Sequence, residues 1–147
     1  MTAKEYLNQA YELDRKADMI LRKADFMRKS LYGRGQCSGN RISCPDGDRI
    51  GRTIVKVADY EKQADEIICR LVDIRIEIEN TINTVSDPVQ REILERRYLI
   101  YQPFESGYDK KTGKYIKGIA ESMNYSERQI YRKHHQALKK INVSECQ

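Results

Sequence analysis

Residues 115–141, YIKGIAESMNYSERQIYRKHHQALKKI, decide how this chain is read. Asn124-Tyr125 interrupts two apolar-periodic segments, and asparagine takes the left-handed conformation that a helix end needs. Ser126 then caps a new helix, and Gln129, three residues on, completes a capping box. Upstream, a helix is predicted to resume near Lys114 with Ile116, Ile119, Ala120 and Met123 on one face. Downstream, Ile130, Ala137, Leu138 and Ile141 mark the buried side of the last helix. The joint between them, Met123-Asn124-Tyr125-Ser126, is too short for antiparallel packing, so the helices must cross steeply. That is the geometry of a helix-turn-helix, whose second helix can enter a DNA major groove.

Working outward, Ser86-Asp87-Pro88 starts another helix, with Asp87 as N-cap and Pro88 where its missing N–H costs nothing. It runs through Val89, Ile93, Leu94 and Tyr98 and ends before Pro103, and the polar residues 102–113 (QPFESGYDKKTG) read as a loop. Residues 1–32 contain neither glycine nor proline, nor do residues 52–87; five of the eight glycines lie between Gly33 and Gly51. In the first segment Ala3, Tyr6, Ala10, Leu13, Ala17, Ile20, Ala24, Met27 and Leu31 alternate spacings of three and four, a coiled-coil seam. In the second, Ile50, Ile54, Val57, Ala64, Ile68, Leu71, Ile78, Ile82 and Val85 fit the same frame, broken by Glu61 and Arg75. Such stripes need a partner. Two long antiparallel helices joined through residues 33–49 provide one; a parallel coiled-coil homodimer is the competing arrangement. The predicted fold is all-α: a long antiparallel helical hairpin, coiled-coil-like, over residues 1–86, then a helix-turn-helix domain over residues 87–147.

Charge follows this division. The chain carries a formal net charge of +5, and from Lys110 to Lys140 nine basic residues face two acidic ones, whereas residues 1–86 hold fifteen basic and fourteen acidic. Positive charge is thus concentrated where phosphate binding would need it. Arg128, Gln129, Arg132 and Gln136 are the last-helix side chains suited to bidentate base contacts, Arg to guanine and Gln to adenine. Gln129 has a competing use as the capping partner. Lys114, Lys117, Lys133, Lys139 and the Ser126 end of the helix would hold phosphates.

The stretch quoted above, preceded by REILERRYLIY, resembles the region-4 helix-turn-helix of bacterial sigma factors. It is more similar still to phage-encoded sigma-like regulators of late genes, the ArpU/RinA type. The resemblance covers roughly residues 87–142 and implies that Tyr125 and Ser126 form the turn and cap. It further implies that Arg128, Tyr131 and Arg132 lie on the DNA face and His134, Ala137 and Leu138 against the core. The sigma-factor regions that bind core polymerase and melt promoters have no counterpart in residues 1–86, so a complete sigma factor is not expected.

Other chemistry finds little footing. His134 and His135 are adjacent on a helix and point in different directions. Cys37-x6-Cys44 has only Cys69 and Cys146 to complete a zinc site, at unsuitable spacing. GRGQCSGN lacks the G-K-[ST] of a phosphate-binding loop. Glu92, Glu95, Glu105 and Asp109 form no convergent acid/base pair. No enzyme activity, metal or cofactor is expected. The charged first twenty residues hold no export signal, and the longest apolar run, Tyr98–Tyr101, is far too short to span a bilayer. The expectation is therefore a sequence-specific DNA-binding transcriptional regulator in a host bacterial cytoplasm. Its partners would be double-stranded DNA, with RNA polymerase or a second copy engaging the N-terminal arm. The alternatives are a polymerase- or sigma-binding interaction protein and a small terminase-like DNA-packaging component.

Overall fold

The computed structural model describes residues 1–32 and 49–141. The predicted Gly-rich connection, with Cys37 and Cys44, and the terminal Cys146 lie outside them. The chain is mostly helical: α1 (Ala3–Tyr32), α2 (Arg49–Asn83), α3 (Pro88–Leu94) extended by a π-helical turn (Glu95–Leu99), strands β1 (Gly107–Tyr108) and β2 (Tyr115–Ile116), α4 (Ile119–Met123) and α5 (Glu127–Lys140). It divides into two compact units, one formed by Met1–Glu12 with Val72–Gln147, the other by Leu13–Leu71. Among the described residues no helix is long and apolar enough to cross a membrane.

The first unit is built around α3 and α5. Asp87 caps α3, accepting from the backbone N–H groups of Val89 and Gln90. Ile93, Ile119, Ala120 and Ile130 form a fully packed cluster, with Val89, Phe104, Met123 and Tyr125 closing its edge. This small core joins all three short helices, and burying its isoleucines is the main force holding them together. After Leu94 the helix widens: the N–H of Ile100 bonds to the carbonyl of Glu95, five residues back, at 3.2 Å. Tyr101 follows with φ 61°, and the chain leaves the helix. The unit reaches past residue 87 into the ends of both long helices. The Tyr6 hydroxyl lies 3.4 Å from the Thr81 hydroxyl, and the Tyr11 ring meets Tyr101 edge-on at 5.1 Å.

One expectation fails here. The helix predicted to resume near Lys114 does not exist before Ile119; residues 107–108 and 115–116 pair instead as a short antiparallel hairpin, Gly107 opposite Ile116 and Tyr108 opposite Tyr115. The cause is local. Asp109 accepts from the backbone N–H of Lys111 at 3.1 Å and from the Thr112 hydroxyl at 2.7 Å, and Gly113 supplies a φ of +66°. Together they close a turn that a helix cannot contain. Residues 102–113 accordingly contain a short strand and a bonded turn within the predicted loop.

In the second unit, the predicted seam of α1 is covered at Ala17, Ile20 and Ala24, and α2 is covered at Val57, Ala64 and Leu71. Val57, Ala64 and Leu71 keep the predicted frame of α2, but three other predicted seam positions are not covered. Ile50, Ile54 and Ile68 are exposed by 63%, 55% and 38%. Thr53, Tyr60 and Ile67 on the opposite flank are half-buried instead. The flank holding Ile54 and Ile68 also holds Glu61, which forms an ion pair with Arg28.

Candidate nucleic-acid interface

The joint between α4 and α5 is three residues, and each has a defined job. Asn124 ends α4 in the left-handed region, φ 57° and ψ 39°, and its N–H bonds back to the carbonyls of Ala120 and Glu121. Tyr125 tucks its ring against the core cluster, with its N–H donating to the Ala120 carbonyl at 3.0 Å. Ser126 stands at the N-cap in extended conformation and accepts from the N–H of Gln129, while the Gln129 side chain accepts from the N–H of Ser126 at 3.1 Å. The capping box read from sequence is present.

The cap sets the rotation of α5. Ile130, His134, Ala137 and Ile141 fall on its buried side. Arg128, Arg132, Gln136 and Lys139, at spacings i, i+4, i+8 and i+11, share the opposite side and are all exposed. Lys133 is half-buried, its ammonium 5.6 Å from the centre of the Tyr125 ring. Gln129 is exposed but its carbonyl oxygen is committed to the cap, which removes half of the bidentate adenine contact. Lys114 is exposed on the hairpin and Lys117 is exposed just after it, neither on a helix.

Tyr131 is held away from a free position. Its hydroxyl donates to Glu105 at 3.0 Å and its ring leans on Phe104, with centroids 4.9 Å apart. The bond to Glu105 raises the Tyr131 pKa above its ordinary value. Phe104 is a hub: the Arg97 guanidinium sits 4.8 Å from its centre, and the His134 ring meets it edge-on at 4.9 Å. His134 lies in the core, where the resemblance places it. Its Nε2 is 3.0 Å from the Tyr98 hydroxyl, a bond in which either atom can donate. Burial, with smaller contributions from the positive charges of Arg97, Lys4 and His135, lowers its pKa to about 4. At neutral pH it is an uncharged core residue.

A network that sequence reasoning missed ties the hairpin to α4. Ser106 and Tyr115 both donate hydroxyl protons to the Glu121 carboxylate, Tyr115 at 2.7 Å, and these bonds hold Glu121 below its ordinary pKa. The N–H of Gly118 bonds to the Ser106 hydroxyl at 2.8 Å, and those of Ile119 and Ala120 bond to the carbonyls of Pro103 and Phe104. The Gln102 side chain donates to the Lys117 carbonyl and to Ser122, each at 2.8 Å. Ser106 and Glu121 from this network share a shallow polar cleft with Tyr125, Ser126, Glu127 and Arg128. No spacing rule announces these partners, because each bond joins residues separated in sequence by a turn of variable length. Compared with known proteins, the chain matches no family model, no curated protein and no solved structure.

Proposed function

We propose that this protein is a sequence-specific DNA-binding transcriptional regulator of the phage or prophage late-gene kind, with α4, the three-residue joint and α5 acting as a helix-turn-helix. The observation that carries this reading is the exposed row Arg128, Arg132, Gln136 and Lys139 on a helix fixed from behind by Ile130, His134 and Ala137. A groove-reading helix needs such a pairing of a rigid buried side with an open side rich in bidentate donors. Arg128, Arg132 and Gln136 read base edges, and Lys133, Lys139 and the Ser126 end hold phosphates. Tyr131, tied to Glu105, positions the helix more than it reads sequence.

Residues 1–86 act as an arm for assembly, α1 and α2 running antiparallel. Two pairs support this orientation: Tyr6 with Thr81, and Arg28 with Glu61. Two tethered reading heads gain affinity by effective concentration, which one small head lacks. Selection from a random DNA pool at physiological salt tests the proposal. Recovery of a motif is the expected result, and a palindromic motif would indicate a two-fold assembly. A pool that returns no enriched sequence would refute specific recognition.

A second reading makes the arm the working end, docking on polymerase or another sigma factor. The exposed Ile50, Ile54, Val55 and Ile68 of α2 favour it. Equal binding to random and selected DNA would support that reading. A particle far larger than a dimer would support a packaging component instead.

A further inference from the structure

The hairpin of residues 107–116 is too short to be stable by itself: a two-residue ladder has little to offer against chain entropy. It is held from below by the Ser106–Glu121–Tyr115 bonds, and Gly118 is pressed against residues 104–106, which lead into it. A β-carbon at Gly118 would lie 2.5 Å from the backbone carbon of Glu105 and 2.6 Å from the nitrogen of Ser106. Above this anchor the hairpin presents Lys110, Lys111 and Lys114, with Lys117 just after it, all exposed. The one acidic residue among them, Asp109, is turned inward to close the turn. Tyr108 and Tyr115, directly paired across the ladder with rings 5.3 Å apart, are exposed by 75% and 53%.

A solvated lysine loop needs neither a rigid base nor two uncovered tyrosines. We propose that this hairpin is a second DNA contact, a basic ribbon whose Lys110, Lys111 and Lys114 grip phosphates beside the groove entered by α5. The proposal rests on the reading of α5 as the groove-binding helix. Its position supports it. The base of the hairpin and the first turn of α5 border one cleft through Ser106, Glu121 and Arg128, and Glu105 bonds to Tyr131 of α5. Ribbon and helix are therefore indexed to each other by hydrogen bonds, as one footprint on a duplex requires. Lysines on a ribbon supply charge without sequence information, and the paired tyrosine rings give the sugar edges an apolar surface.

The test is a titration of a fluorescent mixed-sequence duplex against the full chain at several salt concentrations. It compares the parent with a Lys110→Ala/Lys111→Ala/Lys114→Ala variant, the corresponding triple Lys→Arg variant, and Arg132→Ala. Three lost phosphate contacts should make the slope of log affinity against log salt shallower by about 2.7. Between roughly 50 and 200 mM salt, the parent's affinity should then fall about 40-fold more than the alanine variant's. The arginine variant should keep the parental slope, and circular dichroism should show all four proteins equally helical. A parental slope and affinity in the alanine variant, with binding still weakened by Arg132→Ala, would overturn the ribbon contact and leave α5 as the reading helix. No salt-dependent binding by the parent would overturn the α5 reading itself.

Discussion

Between pH 7 and pH 5 the folded protein should lose stability through His134, and the size of the loss can be worked from its surroundings. The side chain is 8% exposed and shares its pocket with the Tyr98 hydroxyl and the edge of Phe104. Its folded pKa is lowered to about 4, against about 6.5 for an unfolded histidine. The unfolded chain therefore binds the proton first as pH falls, and stability declines with pH across this window. Above the unfolded value both states are neutral, and below the folded value both are charged, so the effect is confined between them. At pH 5 the difference amounts to about 2 kcal/mol relative to pH 7. Urea unfolding followed by circular dichroism at pH 7 and pH 5, for the parent and for His134→Gln, isolates this residue from the carboxylates. The variant is less stable at pH 7 because it disturbs the packing, but it should lose about 2 kcal/mol less than the parent on acidification. An equal loss in both proteins would refute the assignment of His134 as a buried neutral group.

Ser126→Ala removes the acceptor for Gln129 and should cost about 1 kcal/mol in thermal or urea unfolding. Gln129→Ala added to it should cost about 0.5–1 kcal/mol more, because the bond from the backbone N–H of residue 126 to the Gln129 side chain survives the first substitution; no further loss would contradict that. Gly118→Ala forces a methyl into the backbone of residues 104–106 and should destabilise by about 1–3 kcal/mol, although the Gly118 φ of −77° suits any residue. A neutral result would show that the hairpin shifts freely. Leu71→Asp and Ile20→Asp each bury a carboxylate in a seam and should lower helicity and alter the solution mass. Unchanged spectra and mass would remove the seam.

What the sequence made legible was local. The Ser126–Gln129 box, the Asp87 cap and the left-handed Asn124 each depend on contacts within four residues, so composition and spacing alone announce them. The heptad of Val57, Ala64 and Leu71 was legible for the same reason. The flank of α2 that carries the remaining burial was not. Ile54 and Ile68 are more apolar than Thr53 and Tyr60, but burial follows the geometry of helix packing, and it is Thr53 and Tyr60 that are half-buried. The hairpin was missed because Ile116, Ile119, Ala120 and Met123 carry an apolar periodicity compatible with a helix that starts near Lys114. What decides against one is Gly113 and a set of bonds to Ser106 and Glu121 that lie beyond any short window. The exposed face of α5 was read correctly as a surface, with two amendments: Gln129 is occupied by the cap, and Tyr131 is occupied by Glu105.

The most direct test of the central claim is a binding titration of the parent, Arg128→Ala and Arg132→Ala against the selected duplex and a scrambled one. Each substitution should weaken binding to the selected duplex by about 1–3 kcal/mol more than it weakens binding to the scrambled duplex, with unfolding curves like the parent's. Parental discrimination between the two duplexes in both variants would mean that the Arg-bearing side of α5 does not read DNA.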